Sequence, residues 1–146
     1  MTPTIETRLL ILVSAVLELG TGLALLFVPG FVVRILLGTP LVGPGVATSR
    51  LCGIALISLG LASWPKWEPT EPTEPTRHRP DRRAARALLV YNASATAYLA
   101  LLMVVAGYRG ILLVPAIVIH AVLAMLLARA VVSARALRES AQTARG

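Results

Sequence analysis

The stretch 9–28, LLILVSAVLELGTGLALLFV, decides the fold of this chain. As an α-helix rising 1.5 Å per residue it spans about 30 Å, the thickness of a bilayer's hydrocarbon core. It carries one ionisable residue, Glu18, and ends at Pro29-Gly30, which interrupts the helical pattern. The eight residues before it hold Glu6 against Arg8, and no A-x-A site follows it, so it reads as a retained span rather than a cleaved signal peptide.

Further runs of this kind follow at about 46–64, 87–106 and 111–132. The third and fourth are joined by the turn Gly107-Tyr108-Arg109-Gly110, and Pro115 stands near the start of the fourth, where a missing N–H costs least. Residues 31–37 (FVVRILL) are too short to cross and carry Arg34, which suits a short amphipathic helix at the interface. Trp64 and Trp67 mark a membrane boundary at the end of the second span. The expected architecture is all-α: a single integral membrane domain, an antiparallel bundle of four transmembrane helices, with a flexible linker at 65–86.

Composition agrees. Of 146 residues, 56% are hydrophobic and 14% charged, against about 25% charged in an ordinary soluble domain. A net charge of +7 would suggest nucleic acid in a soluble protein, but here the arginines flank apolar segments. On a four-span topology, 11 of the 14 basic residues fall with the termini and the 65–86 segment, and 3 (Arg34, Arg50, Arg109) fall on the other side. That bias predicts cytoplasmic termini in a bacterial-type inner membrane. The lone Cys52 excludes an intrachain disulfide and a CxxC redox centre.

The 65–86 segment contains three consecutive Glu-Pro-Thr repeats at 68–76, an extended polyproline-like tract. Arg77, Arg79, Arg82, Arg83 and Arg86 follow. They are placed to meet anionic lipid headgroups, worth about 1 kcal/mol per residue, or to act only as a topological anchor.

Function must be sought where the bilayer makes a residue expensive: a charge at a helix centre costs roughly 2.5–3.5 kcal/mol on insertion scales. Glu18 lies ten residues past Arg8 and His120 ten past Gly110 on a helix running the other way. Each is therefore about 15 Å deep. Ser14, Thr21 and Gly22 share the Glu18 face, and Ala116, Ala124 and Ala128 share that of His120, so both residues should face other helices. Arg50 and Asn92 lie about 9 Å from the ends of their spans, and Tyr91, Ser94, Thr96 and Tyr98 surround Asn92.

The candidate binding residues are thus Glu18, His120, Arg50, Asn92, Tyr91 and Tyr98. A Glu18–Arg50 pair would be a fixed ion pair, whereas a Glu18–His120 pair could exchange a proton near neutral pH. Each residue also has a plainer reading: Arg50 can snorkel outward, and His120 and Asn92 can be interhelical hydrogen-bonding glue. Bis-histidine haem is excluded, since His78 lies outside the spans, and a carboxylate pair is excluded because Glu18 is the one intramembrane acid. No catalytic residue set, metal site, cofactor motif or nucleic-acid platform is present.

The second span reads ATSRLCGIALISLG at 47–60, and its Arg50-x-x-Gly53 followed by Leu59-Gly60 resembles small four-helix bacterial inner-membrane proteins of the DoxX-like kind. Together with the first span and its Pro29-Gly30 exit, the resemblance covers about half the chain. It implies a four-helix membrane protein serving as an accessory component in redox or stress functions, and it transfers no defined active site. The Glu-Pro-Thr tract is not part of the pattern.

The expected function is binding of a small molecule, lipid-like ligand or proton at the midplane polar site, as a small carrier or accessory subunit. One alternative is a membrane-embedded isomerase or quinone-linked reductase acting on a lipid-soluble substrate. The other is a structural or assembly subunit, acting as a homo-oligomer or with a membrane partner.

Overall fold

The computed structural model describes residues 5–65 and 79–143. Within them the chain forms five α-helices: α1 (Ile5–Phe27), α2 (Pro29–Leu37), α3 (Pro44–Ala62), α4 (Arg79–Val104) and α5 (Leu113–Thr143). Four of these, α1, α3, α4 and α5, are long and apolar enough to cross a membrane. Their outward faces carry large apolar side chains such as Leu51, Val90, Val118, Met125 and Val132. Such surfaces suit lipid and not water, and the protein is a multi-pass integral membrane protein.

The helices pair off. α1 and α3 form one closely packed antiparallel pair and α4 and α5 another, and the two pairs meet chiefly through α1. The α1–α3 seam is built from small residues seven apart. A Cβ placed on Gly22 would lie 2.7 Å from the Gly53 carbonyl oxygen, and one on Gly53 would lie 2.9 Å from the Leu26 nitrogen. A turn or two along, a Cβ on Gly60 would lie 2.9 Å from the Ala15 carbonyl oxygen. Lipid tails are as apolar as leucine, so what draws these helices together is this close van der Waals approach.

The end of the bundle that carries the chain termini is the better packed one. There Ile11 of α1 meets Ala85 and Leu88 of α4 and Leu127 of α5, all buried. Toward the opposite end the two pairs separate, and α2 lies across the gap. Pro29 opens α2 and Gly38, in the left-handed conformation (φ 79°), closes it, with its N–H donating to the Arg34 carbonyl at 2.9 Å. The 105–112 connection is tied to α2 as well: the Leu112 N–H donates to the Ile35 carbonyl at 2.9 Å. Arg109 in turn donates to the Met103 carbonyl at 2.7 Å, capping carbonyls left open at the end of α4. Backbone groups near the hydrocarbon boundary thus find partners within the protein, as they must.

Two expectations from the sequence need correction at their edges. The linker expected at 65–86 does not extend that far, because α4 is already helical from Arg79. Pro80 is tolerated in a first helical turn and arginine is a good helix former, so the basic run continues the transmembrane helix past the membrane boundary. The connection between the last two spans is also longer than the 107–110 turn, because α4 ends at Val104 and α5 begins at Leu113. Pro115 does sit in the first turn of α5. The Glu-Pro-Thr tract, Trp67, Arg77 and His78 lie outside the described residues.

Candidate functional site

The polar residues of the spans divide into those that converge and those that do not. Asn92 on α4 is fully buried. Its Nδ2 donates to the Leu88 carbonyl, one turn back, at 2.8 Å, and its Oδ1 stands 2.8 Å from Nδ1 of His120 on α5. The first contact fixes the second, since a backbone carbonyl can only accept and the amide nitrogen must face it. Oδ1 therefore accepts, and His120 Nδ1 carries the proton it donates.

Tyr91, the residue before Asn92 on α4, turns toward α1. Its ring meets the His120 ring edge to face, with centroids 5.7 Å apart, and its hydroxyl lies near the Glu18 carboxyl. Glu18 is 1% exposed, and its Oε1 is sealed without a hydrogen-bond partner, as is Ser14 Oγ one turn earlier on α1. Glu18, Tyr91, His120 and Asn92 thus form a continuous line of side chains across α1, α4 and α5. Tyr91 is the residue that neighbours both Glu18 and His120.

Arg50 is not part of this line; it is exposed on α3. Thr96 turns its hydroxyl back to the Asn92 carbonyl at 2.8 Å, as Ser58 does to Ile54 at 2.9 Å on α3. This local bonding is how a hydroxyl is satisfied in a transmembrane helix, and it commits their protons to the backbone. Tyr98 is largely exposed, two turns along α4 from Tyr91, at the edge of a cavity.

That cavity is the second component of the site. It is a cleft of about 800 Å³ in the half of the bundle where the helix pairs diverge, between α1 on one side and α4 and α5 on the other, and it opens sideways onto the outer surface, where Val16, Leu17 and Tyr98 on its rim are exposed. Its walls are apolar: Leu17, Ala24 and Leu25 from α1, Ala95 and Leu99 from α4, Pro115, Ala116 and Ile119 from α5. Val32, Ile35 and Leu36 of α2 roof it. The polar groups on its surface are few: Thr21, Tyr91, Ser94, Tyr98 and His120. A volume in the upper part of the ~300–1,000 Å³ range, apolar lining and a few placed polar groups are the attributes of a small-molecule site.

His120 links the two components, because it is held from behind by buried Asn92 while lining the cavity itself. Among the described residues Nε2 has no hydrogen-bond partner and is not a sealed atom; with Nδ1 turned to Asn92, it is the ring nitrogen left for the cavity that His120 lines. Sequence spacing alone did not single out the α2 residues or Ser94 as lining. The row Tyr91, Ser94, Ala95, Tyr98 is nevertheless an i, i+3, i+4, i+7 face, so the sequence carried the periodicity without saying what that face met. Among the described residues no group of His, Cys, Asp and Glu is placed to hold a metal ion. No family model, curated protein or solved structure matches this chain.

Proposed function

We propose that this protein binds a lipid-soluble small molecule in the cavity between its two helix pairs, as a small carrier or the ligand-binding subunit of a membrane assembly. The observation that carries this reading is the pairing of an 800 Å³ apolar cavity with one positioned polar atom, His120 Nε2, on its wall. A cleft open to the bilayer does not stand empty, because an unfilled lining forfeits packing contacts and packing is the main force that holds transmembrane helices together. An occupant restores those contacts.

The orientation belongs to the same proposal. With 11 basic residues on the side of the termini against 3 on the other, the protein sits in a bacterial-type inner membrane with both termini in the cytoplasm. The cavity then opens in the periplasmic half of the bilayer. Arg83 and Arg86, exposed on the first turns of α4, and the basic residues before them meet anionic headgroups of the inner leaflet.

The test is extraction of the protein directly into native-membrane nanodiscs, followed by mass spectrometry of the small lipophiles that accompany it. The wild-type protein should retain a compound that Ala116→Trp, which fills the cavity, loses. Equal lipid content in the two would contradict the proposal. A second reading, an assembly subunit whose polar residues are interhelical glue, is favoured by the Asn92–His120 hydrogen bond itself. Under it, His120→Phe lowers bundle stability and leaves the retained lipophiles unchanged.

A further inference from the structure

The Asn92–His120 contact says what kind of head group the cavity accepts, given the proposal that it holds a lipid-soluble ligand. Asn92 cannot rotate its amide without setting Oδ1 against the Leu88 carbonyl, two acceptors facing each other where Nδ2 now donates at 2.8 Å. Oδ1 is thereby held toward His120, and the imidazole must present its N–H there, from Nδ1. A neutral imidazole has one N–H and one lone pair. With the N–H committed to Asn92, the lone pair is on Nε2, the ring nitrogen left for the cavity.

We infer that the ligand is an amphiphile whose apolar body fills the cavity and whose hydroxyl, an alcohol or a phenol, donates a hydrogen bond to His120 Nε2. An ether or ester of the same shape has no proton to give, and two acceptors would face each other in a nearly dry site. Asn92 acts as a positioning residue: it does not touch the ligand, yet it decides which imidazole nitrogen accepts. Ala95 of α4 and Ala116 of α5 keep the walls small and leave room for the body. Tyr91 packs edge to face on the imidazole beside it.

The experiment uses the full chain in nanodiscs, titrated with farnesol and with its methyl ether, a matched pair differing in the hydroxyl proton. Farnesol should bind about tenfold more tightly, equivalent to ~1.4 kcal/mol, and His120→Phe, which keeps an aromatic ring there, should bring the two affinities together. Equal affinities in the wild-type protein would overturn the inference and leave the cavity reading standing. Tighter binding of the ether would also overturn it, showing that an N–H faces the cavity. If neither compound binds the wild-type protein more tightly than it binds Ala116→Trp, both the inference and the cavity reading fail. The ¹⁵N spectrum of histidine-labelled protein, assigned with His78→Gln, provides a check that needs no folded His120 variant. His120 should show a protonated Nδ1 and an unprotonated Nε2, and the reverse pattern would overturn the inference.

Discussion

Gly53→Ala puts one methyl group into the α1–α3 seam, and the structure allows its cost to be worked out. The added Cβ would stand 2.6 Å from the Gly22 carbonyl oxygen and 2.9 Å from the Leu26 nitrogen, where ordinary contact begins at 3.4 Å. Both atoms are helix backbone, so relief requires the helices to separate by about 0.8 Å (3.4 − 2.6) or to shift along each other. Overpacking of this kind costs roughly 1–3 kcal/mol. Opposing it, alanine is a better helix former than glycine by up to about 1 kcal/mol. The balance, with the full propensity gain subtracted, is a net destabilisation of ~0–2 kcal/mol.

Gly20→Ala is the control, since a Cβ there meets nothing within 4 Å; it retains the helix-propensity gain without the clash. Equilibrium unfolding in mixed micelles, comparing the two variants with wild type, measures both signs. Gly53→Ala should unfold more readily and Gly20→Ala no more readily than wild type. A Gly53→Ala protein at least as stable as Gly20→Ala would refute the claim that close backbone approach holds α1 to α3.

Three other outcomes can be stated. A double-mutant cycle on Asn92→Ala and His120→Ala should give a coupling of about 0.6 kcal/mol, the usual worth of an interhelical hydrogen bond in a membrane; no coupling in the cycle would mean that the 2.8 Å contact contributes nothing. Tyr91→Phe removes the hydroxyl beside the buried Glu18 carboxyl and should cost about 1–3 kcal/mol, most of which Glu18→Leu in the same chain should restore by removing the unpaired acceptor. A double variant less stable than Tyr91→Phe would contradict that account. Arg50→Gln should change stability by less than ~0.5 kcal/mol and leave ligand retention untouched, because the guanidinium is exposed; a large loss in either would return Arg50 to the site.

The fold was legible because lipid imposes a length. A run such as 9–28 has few other uses, and four runs of this kind leave little freedom in the architecture. The start of α4 was not legible, because charge and Pro80 hide a helix that extends beyond the bilayer; hydropathy marks the membrane boundary and not the helix boundary. The site was legible in depth but not in direction. Residue counting puts Glu18 and His120 at one level, yet counting cannot show that Tyr91 neighbours both. Arg50 illustrates the same gap: hydropathy is spread almost evenly around α3, so the inward face is marked only by Gly53 and Gly60, and the arginine is exposed. The cavity itself depends on how far the helix pairs diverge beneath α2, a property of packing between segments far apart in sequence.

The central claim, a ligand cavity with His120 on its wall, is tested most directly by a density map of the protein in native-lipid nanodiscs. The account predicts a distinct non-protein density between α1 and the α4–α5 pair, beneath α2, with one end in hydrogen-bonding contact with His120 Nε2. Helix pairs closed on each other with no space between them, or a space entered only by the acyl chains that coat the rest of the bundle, would contradict it.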